Sequence, residues 1–235
     1  MEHAVIIDIR TPDEICRNLN SLGLHLLKIP QTDRVSTPVS AHPDIQLFIH
    51  GKTVFVHPDI DRNFAHYLEQ YCEIIYCKTR LGSDYPADIA YNIAYTGIFA
   101  IHNLRHTDPA LLDYLESVNA VKIDVKQGYS KCSTLIVNER SVITADVSIH
   151  SAARAAGLDS LLISPGNIDL PGYKYGFIGG AAARFAEMVL FTGSIDGHPD
   201  RNKIHEFIES RGLNVRILSK QQVLDIGSLL FVNRV

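Results

Sequence analysis

The chain has 235 residues, 46% of them apolar and 20% charged, which is enough to bury a core and too apolar for disorder. Its net charge of −4 disfavours a nucleic-acid partner, which would recruit a basic face. No apolar run reaches the roughly 18 residues that a membrane helix needs. The opening MEHAVIIDIR is acidic and then strand-like, with neither a basic region nor a cleavage site, so no signal peptide is expected. The four cysteines, Cys16, Cys72, Cys77 and Cys132, form neither a CxxC pair nor a dense framework. Reduced thiols and a cytoplasmic setting follow as expectations.

In chain order, HAVIIDI reads as a strand, TPDEICRNLNSLG as a helix and LHLLKI as a strand. Thr11 and Glu14 have the spacing of a capping box, Ile15, Leu19 and Leu22 form the apolar stripe, and Gly23 stops the helix. Next, DIQLFIHGKTVFVH is a hairpin turning at Gly51-Lys52. Pro58 opens a helix carrying Phe64, Tyr67, Leu68 and Tyr71, and EIIYCK closes that unit. DIAYNIAYTGIFAIH turns near Thr96-Gly97. A helix from Thr107 and Pro109 carries Leu111, Leu112 and Leu115 before AVKIDV. KCSTLIVNERSVITA turns at Asn138-Glu139, with Ser148 as N-cap, Gly157 as stop and LDSLLIS as the closing strand. YGFIGGAAARF and EMVLFTGS are two extended runs, followed by a helix from Pro199 to Arg211, Gly212 as its stop, and LNVRILS. The last apolar run is DIGSLLFV.

The order strand, strand, helix, strand thus recurs over 41–79, 88–125, 129–164 and 174–219. A fifth copy takes its first strand from 224–235 and the rest from 1–30. Five copies of roughly 40 residues describe a repeat architecture. A three-stranded sheet with one helix cannot bury both faces by itself, whereas five in a ring share a core. The expected fold is therefore α/β: a single five-unit α/β-propeller domain with pseudo-fivefold symmetry, closed by pairing of the C-terminal and N-terminal strands. The Pro-, Gly-, Ser- and Asp-rich stretches between units read as surface loops. A competing reading makes GGAAARFAEMVLF a glycine turn entering a helix, like a phosphate loop. The run lacks GxGxxG and GxxxxGK[ST] and continues into FTGS, which favours strands.

The fivefold pattern resembles the pentein superfamily, which includes arginine deiminases, dimethylarginine hydrolases, amidinotransferases and a ring-shaped translation initiation factor. Residues from about 41 to the C-terminus resemble an uncharacterised bacterial family of that fold, a domain of unknown function. The stretches that carry the likeness are VKQGYSKCSTLIV, ITAD, YGFIGGAAAR, HPD followed by KIHEFIESRG, and DIGSLLF, with AHPDIQ and YPADIAYN beside them. The resemblance implies a ligand in a central pore where strand ends converge. Superposing the repeats places Asp44, Asp88, Lys131, Cys132, Gly179, Gly180 and Asp225 near first-strand starts. Asp8, His57, His102 and Asp146 fall near second-strand ends. Carboxylates and histidines around one cavity suit a planar cation such as a guanidinium or amidine.

In the resembled enzymes a cysteine thiolate attacks an amidine carbon with help from histidine. Their nucleophile lies near the C-terminus, where this chain reads DIGSLLFVNRV, with Ser228 but no cysteine. Cys132, beside Lys131, is the substitute candidate, with His57 or His102 as proton shuttle. Asp44, Asp88, Lys131, Asp146 and Asp225 are the ligand-binding candidates. The competing reading of Cys132 is a small apolar residue buried in a strand. HPD occurs at His42–Asp44, His57–Asp59 and His198–Asp200. The latter two read as helix starts, and Asp44, preceding a strand, is the copy least explained by capping. Asn92 and Arg184 are polar positions within strands, facing either the pore or solvent. Eleven histidines raise the question of metal, but HExxH, HxH and Cys-rich spacings are absent, so no metal and no cofactor are expected. Two functions lead at this point, ahead of a metal-assisted hydrolase whose site would have to be assembled across units from His57, His102, Asp44 and Asp88. One is a C–N bond hydrolase or amidinotransferase-like enzyme acting on a small guanidine, amidine or amide compound through Cys132. The other is a non-catalytic small-molecule-binding or protein-interaction module.

Overall fold

A computed structural model describes residues 3–233. Among the described residues the strands form five three-stranded sheets, and each has the same internal order. A middle strand pairs antiparallel with the first and parallel with the third, across a helix. The sheets take their strands from 47–50, 53–56 and 73–76; 94–95, 99–102 and 121–124; 134–138, 141–144 and 159–162; and 182–185, 188–191 and 214–217. In the fifth, Leu230–Asn233 pairs antiparallel with His3–Asp8, with His3 opposite Asn233 and Ile6 opposite Leu230, and His3–Asp8 pairs parallel with Leu24–Ile29. The two ends of the chain therefore build one sheet, as the repeat pattern predicts.

The apolar core falls into five clusters, each bridging consecutive units. Phe64 and Leu68 pack with Ile6 and Leu27, Phe55 with Tyr91 and Leu111, and Ile101 with Val142 and Ile149. Ile143 packs with Phe191 and Ile204, and Leu190 and Leu218 pack with Ile7 and Leu19. Each helix thus packs its apolar stripe between its own sheet and that of the preceding unit.

The helices begin later than proline and threonine signals predict. The first runs Asp13–Ser21 from Pro12, and the Thr11–Glu14 capping box does not form. Thr11 instead donates to the Asp8 carbonyl, and Glu14 accepts from the Ser219 hydroxyl. Pro58 lies in a turn, and the helix Arg62–Leu68 is capped by Asp61, which accepts from the Phe64 amide. Asp108 caps Pro109–Ser117, Asp146 rather than Ser148 caps Val147–Ala155, and Asp200 precedes Arg201–Glu209. At Asp61, Asp108 and Asp146 the aspartate three residues ahead of the apolar stripe sets the start, because its carboxylate satisfies orphan amides of the first turn. The stops behave as read: Gly23, Gly157 and Gly212 all adopt positive φ.

A second correction bears on the site. First strands do not begin as extended runs in three of the units. A single helical turn precedes each: Pro43–Gln46, Ser130–Ser133 and Ile178–Ala181. These turns carry Asp44, Lys131, Cys132, Gly179 and Gly180. The turn at 178–181 then passes directly into the strand Ala182–Phe185, so GGAAARF neither opens a long helix nor forms a phosphate loop.

Removal of residues 224–235 strips the partner strand from His3–Asp8 and takes Ile226 and Leu229 from the cluster around Ile7 and Leu19. The shortened chain is expected to lose its cooperative thermal transition by circular dichroism and to self-associate through the opened strand edge. A retained single transition would show that the terminal strand is dispensable.

Candidate functional site

The helical turns and the segment before the last strand bring their polar side chains to one buried cluster. Asn92 is its centre. Its Oδ1 accepts from the backbone amides of Lys131, at 2.8 Å, and Cys132, at 3.1 Å. Its Nδ2 donates to the Asp44 carbonyl, at 2.9 Å, and to the Cys132 sulfur, at 3.1 Å. The Cys132 thiol in turn donates to Asp44 Oδ2 at 3.1 Å. Asp44 Oδ1 is buried and, among the described residues, has no hydrogen-bond partner.

The Lys131 ammonium reaches across to the C-terminal segment, where it donates to Ser228 Oγ at 2.5 Å and to the Gly179 carbonyl at 3.0 Å. Ser228 Oγ itself donates to that carbonyl at 2.8 Å. Ser228 holds φ at +79°, a conformation that costs a non-glycine residue about 1–2 kcal/mol. Asp225 accepts from the amides of Phe177, at 2.8 Å, and Gly227, at 3.0 Å, and lies 3.8 Å from Nδ1 of buried His42. Two glycines make room for it: a Cβ on Gly180 would overlap the Asp225 carboxylate, and one on Gly176 would overlap its Cβ. His42 Nδ1 likewise has no hydrogen-bond partner among the described residues.

Above this cluster lies a cavity of about 140 Å³ whose polar lining is His42, Cys132 and Asp225. Tyr129, Tyr173, Tyr175 and Phe177 form its aromatic wall, with Val39, Ile45 and Leu170 beside them. The Tyr129 and Phe177 rings are stacked with centroids 6.5 Å apart, and Tyr175 meets Phe177 edge-on. The loop that supplies Tyr173, Tyr175 and Phe177 is stitched to the last segment by two backbone hydrogen bonds, Asp169 donating to Val223 and Asp225 to Asp169, and is closed on itself by a third, from Gly176 to Ile168. The same strip of chain therefore fixes both the carboxylate and the aromatic wall. A neighbouring cavity of about 160 Å³ shares His42, Leu170 and Asp225 and adds Asp8 and Arg10. Asp8 is paired there with Arg10, whose guanidinium also ties down the carbonyls of Thr37 and Pro38.

Electrostatics sets the protonation of the cluster. Burial, reinforced by the nearby Asp44 and Asp225 carboxylates, pushes the Cys132 thiol well above its ordinary range. Burial raises Asp44, against the pull of His42 and Lys131. Burial lowers Lys131, against Asp44, Cys132 and Asp225.

Of the sequence-predicted residues, the structure brings together Cys132, Asp44, Lys131 and Asp225. Asp88 stands behind the wall, accepting a 2.5 Å hydrogen bond from the Tyr129 hydroxyl, with its own pKa raised by burial. Asp146 is elsewhere: it caps its helix, accepts from Gln127, and lines a separate cavity near Ser164 and Pro165. The two histidines expected as shuttles do not line the Cys132 cavity. Both ring nitrogens of His102 are engaged, by Thr107 Oγ1 at 2.6 Å and the Gly128 carbonyl at 3.0 Å. His57 is fully buried, 6.5 Å from the Tyr91 ring, with neither nitrogen hydrogen-bonded among the described residues. His102 ends the strand Phe99–His102 and His57 follows the strand Thr53–Val56, and neither side chain is among those lining the Cys132 cavity. Sequence reasoning passed over His42, although it is the HPD copy that also contains Asp44. It also found no base for Ser228, because Lys131 is 97 residues away in sequence. Among the described residues, no group of three or more His, Cys, Asp or Glu side chains converges to hold a metal ion, and no helix is long and apolar enough to cross a membrane.

Comparison with solved structures defines the class: the chain has the fold of the pentein superfamily. A C. jejuni agmatine deiminase superposes with a TM-score of 0.59 at 8% identity, covering 99% of this chain and 93% of that one. DDAH from Pseudomonas aeruginosa, solved in complex with citrulline, gives 0.58 at 11% identity and 99% of both chains. The inosamine-phosphate amidinotransferase from Streptomyces griseus gives 0.57 at 12% identity, covering 99% and 93%. At such identities the likeness concerns the fold. No curated protein matches the sequence. Residues 6–230 match the model of DUF6873, a family of unknown function, and the chain belongs to that family.

Two outcomes are expected. Ser228→Ala keeps the strained backbone and loses two hydrogen bonds, whereas Ser228→Gly loses the bonds but relieves the strain. The glycine variant should therefore be the more stable of the two by about 1 kcal/mol in urea unfolding. Equal stabilities would mean that the positive φ carries no cost. The second outcome concerns acid. Burial lowers His57 and His102 from 6.5 to about 4, so both are neutral in the fold. Above pH 6.5 they cost nothing. As pH falls from 6.5 towards 4 the unfolded chain binds protons that the folded chain refuses, removing up to about 3 kcal/mol per histidine. His57→Phe should flatten the fall in unfolding free energy over that window. An unchanged slope would show that His57 titrates normally.

Proposed function

We propose that this protein is a closed five-unit α/β-propeller, folded as one domain, that binds a small organic cation of the guanidinium or amidinium class in the Cys132 cavity. The observation that carries this reading is the pairing of a buried carboxylate, Asp225, with a wall of three tyrosines and a phenylalanine above Cys132. Aromatic faces and a carboxylate attract a delocalised cation, and a neutral or anionic ligand would gain from only one of them. The cyclic succession of core clusters supports the ring, because each unit packs on the next and the terminal unit packs on both its neighbours.

Cys132 is the proposed nucleophile. The cation would reverse the electrostatics that keep the thiol protonated, since its charge opposes Asp44 and Asp225. The thiol proton would pass along the existing hydrogen bond to Asp44 as sulfur bonds to the central carbon. Breakage of the C–N bond would release the amine, with a proton returned through His42 or Asp44, and leave an amidino-thioether for water or a second amine to cleave. His42 replaces His57 and His102 as the shuttle because it lines the same cavity as Cys132. A second reading, binding without turnover, is favoured by one observation: the Cys132 sulfur is tied to two partners, the Asn92 amide and the Asp44 carboxyl.

Butylguanidine is the probe. Calorimetry should give one site per chain, with Asp225→Asn weakening binding at least tenfold, about 1.4 kcal/mol, while the melting transition stays cooperative. Equal affinity in wild type and variant would contradict the assignment. To separate the two readings, iodoacetamide and chloroacetamidine are compared at neutral pH. Selective, butylguanidine-protected alkylation of Cys132 by the cationic reagent supports the nucleophile. Binding of butylguanidine without such alkylation supports the binder.

A further inference from the structure

The polar cluster has a second side. Opposite the aromatic cavity, a separate cavity of about 210 Å³ opens onto the same cluster. Its walls are apolar, including Leu47, Phe48, Tyr91, Ile136, Leu230 and Phe231, and its charged groups are Asp44 and Lys131. It shares no lining residue with the Cys132 cavity. Asp44 separates the two spaces: it lines the second while its Oδ2 holds the thiol that lines the first.

Both charged groups have capacity left. Lys131 Nζ has three hydrogens and makes two hydrogen bonds, to Ser228 and Gly179. Asp44 Oδ1 is buried without a hydrogen-bond partner among the described residues, on a side chain only 1% exposed. A buried polar atom left unsatisfied costs free energy that a ligand with a suitable donor recovers. The combination selects the ligand by charge. A simple cation would meet Lys131, a simple carboxylate would meet Asp44, and a wholly apolar molecule would leave both stranded. A head group with a cation and a carboxylate on one carbon satisfies both, and an apolar side chain fills the remaining space.

We infer that this second cavity is a binding site for an apolar α-amino acid, with the ligand ammonium on Asp44, its carboxylate on Lys131 and its side chain among Leu47, Ile136 and Leu230. The inference does not rest on the guanidinium reading of the Cys132 cavity, although Asp44 touches both sites.

L-Leucine is titrated into full-length protein carrying methyl-labelled isoleucine. Shifts are expected at Ile49, Ile93 and Ile136, which line the cavity, and none at Ile15 or Ile204, which lie in other clusters. N-Acetylleucine removes the cation and leucinamide removes the carboxylate, and each should bind at least tenfold more weakly. Ile136→Trp fills the cavity and should abolish leucine binding while butylguanidine binding persists. Saturable leucine binding by wild type that shifts Ile15 or Ile204 but not the three cavity residues would overturn the inference. So would equal affinity for leucinamide, or no saturable binding at millimolar leucine. The wild-type shifts decide the matter if the tryptophan variant does not fold, and loss of butylguanidine binding alone would count against the function proposed above and not against this site.

Discussion

Asn92 is the point on which the site depends. One amide group uses both its oxygen and its nitrogen to join three units: it accepts from two amides of the turn at 130–133 and donates to Asp44 and the Cys132 sulfur. All of this happens in a fully buried setting, where a satisfied network is rigid and an unsatisfied one is costly. The turn at 130–133 places Lys131 and Cys132 side by side but sends them to different cavities, one towards Ser228 and the other towards Asp225 and His42. Five like sheets thus acquire a directional centre from side chains that differ between the units.

The glycines play the complementary part. At Ile178–Ala181 the corresponding turn carries no functional side chain, because Gly179 and Gly180 sit where a Cβ would strike the Lys131 and Thr134 carbonyls or the Asp225 carboxylate. One unit gives up side chains so that another can place a buried charge. The same economy explains Ser228, which keeps a hydroxyl in a left-handed conformation that glycine would occupy more easily. The hydroxyl is kept because Lys131 needs a partner at that spot.

Much of the architecture was legible in the sequence, because periodicity reports burial and recurs five times. The hairpins at Gly51 and Gly97, the glycine stops and the unit shared between the termini all came from local pattern. Helix starts were displaced, since Thr11 and Ser148 offer a capping oxygen as Asp61, Asp108 and Asp146 do and Pro58 offers a helical φ, and tertiary packing chooses between them. The site was legible in part. Repeat superposition grouped Asp44, Lys131, Cys132 and Asp225, and these four do meet in the structure because each precedes the first strand of its unit. It could not rank His42 above His57 or His102, because three HPD copies look alike and only the through-space arrangement tells them apart. Nor could any pattern link Lys131 to Ser228, or show that the cluster faces two cavities.

The central claim is that the Cys132 cavity is built for a delocalised cation, and a crystal structure of the butylguanidine complex tests it most directly. The account predicts the guanidinium plane between the Asp225 carboxylate and the aromatic wall of Tyr129 and Phe177, with its central carbon facing the Cys132 sulfur. A guanidinium bound outside this cavity, or a cavity left empty by a saturating ligand, would contradict it.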